Sequence, residues 1–176
     1  MEKSEQKVVV VNERDDQLGV FQRDTAEKNM NYIIRVVYIL LFNDDNQILI
    51  QRRSADSERF PNYWEVSASG TVLPDEGYVE AAKRKLLDEL GITLPLRHEH
   101  KDVMRRPDVA SHLAAIFVGH IQDSSTVKFN TEKISEVRWV TPKEAREGYL
   151  VTPSFMQVLD WWEDHGEEVK KNVLEA

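Results

Sequence analysis

The apolar positions of the chain form short extended runs on both sides of one helical pattern. A β-branched run at 7–11 and a mostly apolar run at 18–21, with a turn at Asp15-Asp16 between them, predict an N-terminal β-hairpin. The near-continuous apolar run at 32–42 predicts a strand buried on both faces of a sheet. After a polar turn, 47–51 is expected to return beside it as a hairpin.

Residues 74–91 carry the helical pattern. An acidic turn starts it, Leu90-Gly91 ends it, and a projection at about 100° per residue separates two faces. The buried face is predicted to hold Val79, Ala82, Leu86 and Leu90. The opposite face is predicted to hold Ala81, Arg84, Lys85 and Asp88, with Glu89 on the flank between the two.

Further strands are expected at 64–66, 98–105, 111–121 and 133–140. Thr141, Pro142 and Glu144 predict a capped helix that ends at Gly148. A last helix starts at Thr152-Pro153, and its tail after Gly166 is expected to fray. Its apolar stripe is Phe155, Val158, Leu159 and Trp162.

Strands before and after one central helix favour a mixed α/β sandwich over a doubly wound sheet. The length of 176 residues suits one domain, with 1–31 as hairpin and connector, 32–148 as core and 149–176 as C-terminal helix.

Composition narrows the function classes. The formal net charge of −8 and the sequence pI of about 5.2 argue against a nucleic-acid or anionic-membrane surface. The chain has no cysteine, which excludes disulfides, thiolate metal sites and a cysteine nucleophile. It shows no apolar run of signal-peptide or membrane-spanning length, so a cytoplasmic protein is expected.

The stretch 70–92 has a specific spacing. Gly70 is followed after five residues by Glu76 and, after seven more, by Arg84; Asp88-Glu89 and Gly91-Ile92 come next. This spacing resembles the Nudix box, and the hairpin leader and the run Gln51 to Ser54 resemble the hydrolases of the isopentenyl-diphosphate-isomerase-like branch. The resemblance implies an α/β/α sandwich with a mixed central sheet. The chain departs from the box at Lys85 and Asp88, where the family has glutamates.

The resemblance also implies hydrolysis of a phosphoric anhydride with Mg²⁺ or Mn²⁺. Gly70, Asp88 and Glu89 match the metal-binding positions. Glu76, Arg84 and Gly91 match the structural positions of the box.

Lys85 stands where the family places a metal ligand and, in some members, the general base. A charged ammonium supplies neither, so a base is expected elsewhere, at Glu136 or Glu132, with Glu89 as the other catalytic carboxylate. On charge grounds, the candidate phosphate-binding residues are the arginines Arg52, Arg53, Arg105 and Arg106.

The leading hypothesis is a hydrolase of a nucleoside diphosphate-type small molecule, with weak or lost activity left open by Lys85. The alternative is a degenerate Nudix-fold module that binds a phosphate ligand without cleaving it. A third hypothesis is a structural or regulatory protein that forms a homodimer through the N-terminal hairpin. Isomerase activity is disfavoured, because Ser69 and Thr71 stand where that branch has cysteine and histidine.

Overall fold

The computed structural model describes residues 6–176, so the first five residues of the predicted N-terminal unit lie outside the described part. None of the described helices is long and apolar enough to cross a membrane. The strands are β1 Lys7–Val11, β2 Gln17–Gln22, β3 Ile33–Phe42, β4 Ile48–Arg53, β5 Trp64–Glu65, β6 Ala68–Thr71, β7 Arg97–Met104, β8 Ser111–His120 and β9 Ile134–Val140. The helices are α1 Arg23–Glu27, α2 Tyr78–Leu90, α3 Pro142–Gly148 and α4 Pro153–Leu174, with a 3₁₀ turn at Ser124–Thr126.

Strand β3 is the centre of the mixed sheet. It runs parallel to β8 along its whole length and antiparallel to β6. Its even-numbered side chains enter the core that α4 covers, and Val37, Ile39 and Leu41 enter the core that α2 covers. This alternation explains the near-continuous apolar run, because successive side chains point to opposite faces and both faces are buried. The predicted α/β/α sandwich is therefore confirmed.

Strand β4 leaves β3 almost at once, which differs from the predicted hairpin. The two strands share only the pair Phe42 and Ile48, and β4 then pairs with β9 and β5. Strand β5 also binds the segment before α4, because Trp64 N–H donates to the carbonyl of Leu150 at 2.8 Å. This divergence opens a gap between β4 and β6, and α2 lies beside the gap.

The N-terminal hairpin is confirmed, and its tip docks on the same chain. The Asp15 carboxylate accepts hydrogen bonds from Arg35 Nε at 2.7 Å, Lys101 Nζ at 2.9 Å and Tyr78 Oη at 3.0 Å. Burial acts to raise the pKa of Asp15, but these three donors hold it below its ordinary value. The hairpin therefore fixes the start of α2 against the sheet.

The connecting segment contains a short helix, and the prediction for the terminal segment is wrong. The connector after β2 contains α1, with buried Ala26 on its inner side. The tail after Gly166 continues as helix to Leu174. A Cβ on Gly166 would lie 2.9 Å from the Trp162 indole, and Val169 is buried one turn later. The apolar stripe therefore extends past the glycine, and packing outweighs its low helix propensity.

Candidate functional site

The loop and helix of the box are held together by one ion pair. The Arg84 guanidinium donates to both oxygens of Glu76, with Nε at 3.0 Å from Oε2, and also to the carbonyl of Thr71 at 3.0 Å. Glu76 in turn accepts from the N–H of Leu73 at 2.9 Å. These contacts tie β6, the acidic turn and α2 into one rigid unit.

Gly91 ends α2 in the left-handed conformation, with φ of 66°. Its N–H donates to the carbonyl of Leu87, and a Cβ there would lie 2.7 Å from the carbonyl oxygen of Lys128. Only glycine satisfies both the backbone angle and the close approach.

The buried face of α2 is wider than the sequence predicts and includes one charged residue, Glu89. Val79 is 46% exposed, although it was predicted to be buried, and Ala81 is fully buried, although it was predicted to face outward. The buried arc holds Ala81, Ala82, Leu86, Glu89 and Leu90. A prediction from apolar residues alone treats Glu89 as solvent-facing. The predicted buried face is therefore rotated around the helix away from the observed one.

The Glu89 carboxylate accepts hydrogen bonds on both of its oxygens. Its Oε1 accepts from Lys85 Nζ at 2.7 Å, and its Oε2 accepts from Gln51 Nε2 at 2.8 Å and from the Ser69 N–H at 3.3 Å. The side chains of Lys85 and Glu89 are only 13% and 10% exposed. Lys85 and Glu89 therefore form an ion pair at the i,i+4 spacing of the helix, and this pair is largely shielded from solvent.

Gln51 is a site residue that the sequence analysis did not single out. It is buried, and with Arg53 it lies on the strand face toward the cleft. It belongs to the Gln51 to Ser54 run that carries part of the resemblance, and this run was the available signal.

A cleft of about 430 Å³ opens beside α2, between β4 and β6. It brings together the predicted metal-binding residues Gly70, Asp88 and Glu89, and also Arg53 and Glu132. The described residues that line it are Gln6, Arg23, Gln51, Arg53, Ser54, Asp56, Ser57, Ser69, Gly70, Thr71, Arg84, Lys85, Asp88, Glu89, Glu132 and Lys133.

A second cavity of about 120 Å³ adjoins the cleft across Ser69, Gly70 and Thr71. Arg53 lines both spaces, whereas Arg106 lines only the smaller one. The two spaces together could accept an elongated polar ligand that bends over β6.

Other predicted residues lie outside the cleft. Glu136 pairs with Arg138 on β9 and is not among the described residues that line it. Arg52 donates to the carbonyl of Asn62 at 3.3 Å, and Arg105 pairs with Glu13 on the surface. The placement of Arg52 follows from strand alternation, since Gln51 and Arg53 already face the cleft.

Two titratable groups with shifted pKa values, buried Glu65 and partly buried His112, line the smaller cavity. Burial raises the pKa of Glu65, although Arg53 and Thr152 oppose this rise. Burial, with the nearby Arg106 cation, lowers the pKa of His112 well below its ordinary value. Arg106 can only donate, so His112 Nε2 accepts at 2.5 Å, and His112 Nδ1 carries the proton toward Tyr38 Oη at 2.8 Å.

The donor set of the cleft limits which metal ions it can hold. The described residues contain no group of three or more His, Asp or Glu side chains arranged to bind an ion. Both oxygens of Glu89 are engaged, so the arrangement does not fit a centre of several ions. Asp88, whose side chain is 46% exposed, fits one ion with few protein ligands, as Mg²⁺ prefers.

Comparisons with known proteins agree with this fold. The chain is 32% identical over 142 residues to a prenyl-diphosphate phosphatase of Methanosarcina mazei, covering 79% of this chain and 81% of that one. It is 29% identical over 160 residues to an isopentenyl-diphosphate Δ-isomerase of Streptomyces griseus, covering 86% and 80%. A crystal structure of a Deinococcus radiodurans protein superposes with a TM-score of 0.75 at 26% identity, covering 88% and 98%.

The family model described as NUDIX domain matches residues 33–161, which is most of the chain and includes the whole box. These comparisons do not support the alternative of a degenerate binding module. The chain therefore belongs to the NUDIX domain family, as a hydrolase that acts on phosphoric anhydrides.

Proposed function

We propose that the protein hydrolyses a diphosphate linkage in a nucleoside diphosphate-type small molecule in the presence of Mg²⁺ or Mn²⁺. One observation carries this proposal: a single cleft holds the Asp88 and Glu89 carboxylates beside the Arg53 guanidinium, and it continues into a second cavity. A diphosphate needs cationic contacts along its length, whereas the attacking water needs a base, and the cleft offers both kinds of group.

Family members generally use divalent metal ions. Asp88 would hold such an ion at the mouth of the cleft, together with phosphate oxygens and water. When bound, the ion would neutralise charge on the phosphate oxygens.

The remaining contacts are proposed for this chain's own side chains. Arg53 and Lys133 line the cleft and would bind phosphate oxygens that the ion does not reach. Glu132 is the better candidate base, because it lines the cleft, whereas Glu136 is paired with Arg138 outside it.

The smaller cavity favours a polar group beyond the diphosphate. Its lining includes Glu58, Arg59, Glu65 and Arg106, so an apolar chain placed there would desolvate charges without a compensating hydrogen bond. The Methanosarcina mazei relative is named for prenyl diphosphates, and for this reason a prenyl diphosphate is the second substrate to test. A base or sugar that can hydrogen-bond fits the lining better.

The test measures release of phosphate or nucleoside monophosphate from nucleoside di- and triphosphates and from prenyl diphosphates, with Mg²⁺ and with Mn²⁺. We expect nucleotide hydrolysis by the wild type and at least a hundredfold loss of kcat in Glu132→Gln, which removes the candidate base. Glu80→Gln makes the same change at an exposed position of α2 and should leave kcat unchanged. An absence of nucleotide hydrolysis by the wild type, activity that survives Glu132→Gln, or turnover confined to prenyl diphosphates would refute the proposal.

A further inference from the structure

The Lys85 ammonium occupies the position beside Glu89 where a bound cation would be expected. We propose that it is a tethered cation that takes the place of one divalent ion, so that the cleft binds one ion fewer than it would with a carboxylate at this position. This inference rests on the proposed function and concerns the same cleft.

The backbone of β6 is shaped to receive the Lys85 side chain. A Cβ on Gly70 would lie 2.4 Å from Lys85 Cε, 2.6 Å from Cδ and 3.1 Å from Cγ. The methylene chain therefore lies directly against the Gly70 backbone, in space that any other residue would fill. The glycine of the box, which the resemblance connects with metal binding, here makes room for a lysine.

The ammonium is directed to one carboxylate oxygen. Lys85 Nζ lies 2.7 Å from Glu89 Oε1, and the other oxygen of Glu89 is already bonded to Gln51 and Ser69. With all three donors in place, Glu89 keeps one lone pair on Oε1, and an ion bound there would lie directly against the ammonium.

Charge and burial keep the ammonium in this position. The Lys85 side chain is 13% exposed, so an ion approaching Glu89 would meet a poorly screened positive charge at the same oxygen. Lys85 thus gives Glu89 one positive charge and a hydrogen-bond donor. A divalent ion in the same place would bring two positive charges and open coordination positions for other ligands.

The experiment counts Mn²⁺ ions bound to the full chain without substrate, by the loss of the free Mn²⁺ signal in electron paramagnetic resonance. Three variants are compared with the wild type. Lys85→Glu reverses the charge and adds a ligand, whereas Lys85→Met keeps the chain volume against Gly70 and removes only the charge. Lys83→Glu makes the same charge reversal at an exposed position of the same helix and is the matched control.

We expect Lys85→Glu to bind one Mn²⁺ more per chain than the wild type, and Lys83→Glu to bind the same number as the wild type. Lys85→Met should bind Mn²⁺ at least tenfold more tightly than the wild type. An unchanged count in Lys85→Glu, including no binding in any variant, overturns the inference, as does unchanged affinity in Lys85→Met or an equal gain in Lys83→Glu. Because no substrate is present, this result is independent of the hydrolysis assay, so the inference and the proposed function can fail separately.

Discussion

The pair of Lys85 and Glu89 should stabilise the fold far more than an ordinary pair of this spacing on a helix. At 2.7 Å and an effective dielectric constant of about 20, the attraction is about 6 kcal/mol before desolvation is subtracted. Burial of both side chains offsets most of this attraction, and we expect a net coupling of about 2 kcal/mol. Exposed pairs at this spacing contribute about 0.3–0.5 kcal/mol.

The coupling can be measured by a double-mutant cycle of Lys85→Met, Glu89→Gln and the double variant, with urea unfolding followed by tryptophan fluorescence. Lys85→Met should be the costlier single change, at about 3 kcal/mol, because Glu89 then keeps a buried charge with only Gln51 and Ser69 as donors. Glu89→Gln should cost less, since the lysine chain can turn its ammonium toward the water in the cleft.

The pair of Glu167 and Lys170 on α4 serves as a control, because the Glu167 side chain is 94% exposed. Its coupling should be close to zero. A coupling at Lys85 and Glu89 as small as that of the control pair would show that solvent reaches the pair, and our reasoning on its burial would be wrong.

Three further predictions concern stability. Gly91→Ala should cost about 2–3 kcal/mol in urea unfolding, because it combines a left-handed φ of 66° with a Cβ only 2.7 Å from the Lys128 carbonyl oxygen. Asp15→Asn should cost about 2 kcal/mol, since two cations and a phenol lose a charged acceptor, whereas exposed Asp45→Asn should cost almost nothing in the same assay. Burial raises the pKa of Glu65 in the folded state, so the folded protein binds this proton more tightly than the unfolded chain does. The protein should therefore lose stability as the pH rises from the ordinary pKa of 4.5 through the folded-state pKa. Glu65→Gln should make this decline smaller when thermal unfolding is measured across pH.

The sequence predicts most of the helices and strands because the spacing of its apolar residues indicates which positions are buried. Strand β3 carries apolar side chains on both faces at every position except Arg35, and the capping box at Thr141 and Glu144 is present as expected. The pairing partners of a strand are less visible. The turn after β3 indicates a hairpin, but β4 pairs along its length with β9. The paired residues, from Ile48 with Val140 to Arg53 with Ile134, are far apart in the chain, and only packing of the whole sheet selects this pairing.

The identity of the box could also be predicted, but the state of its charged residues could not. Hydrophobic patterns treat Lys85, Glu89 and Gln51 as solvent-facing, whereas in the structure these side chains satisfy one another inside the protein. A buried polar group is stable only when its partners are present, and those partners lie on β4 and β6, far apart in the sequence. The spacing of the box therefore locates the site, but it does not predict the contacts of Glu89.

Lys85 is best understood together with Gly70. When the helix is considered alone, a lysine at this position of the box only removes a metal-binding glutamate. Its methylene chain, however, lies in the space above the glycine, and its ammonium completes the hydrogen bonding of Glu89. If Gly70 serves this fit, Gly70→Ala should displace the lysine and weaken its contact with Glu89. Thermal unfolding should then show Gly70→Ala to be strongly destabilising in the wild type and much less so in a Lys85→Ala background, where the space is empty. Equal costs in the two backgrounds would mean that the glycine is required for the strand itself and not for the lysine.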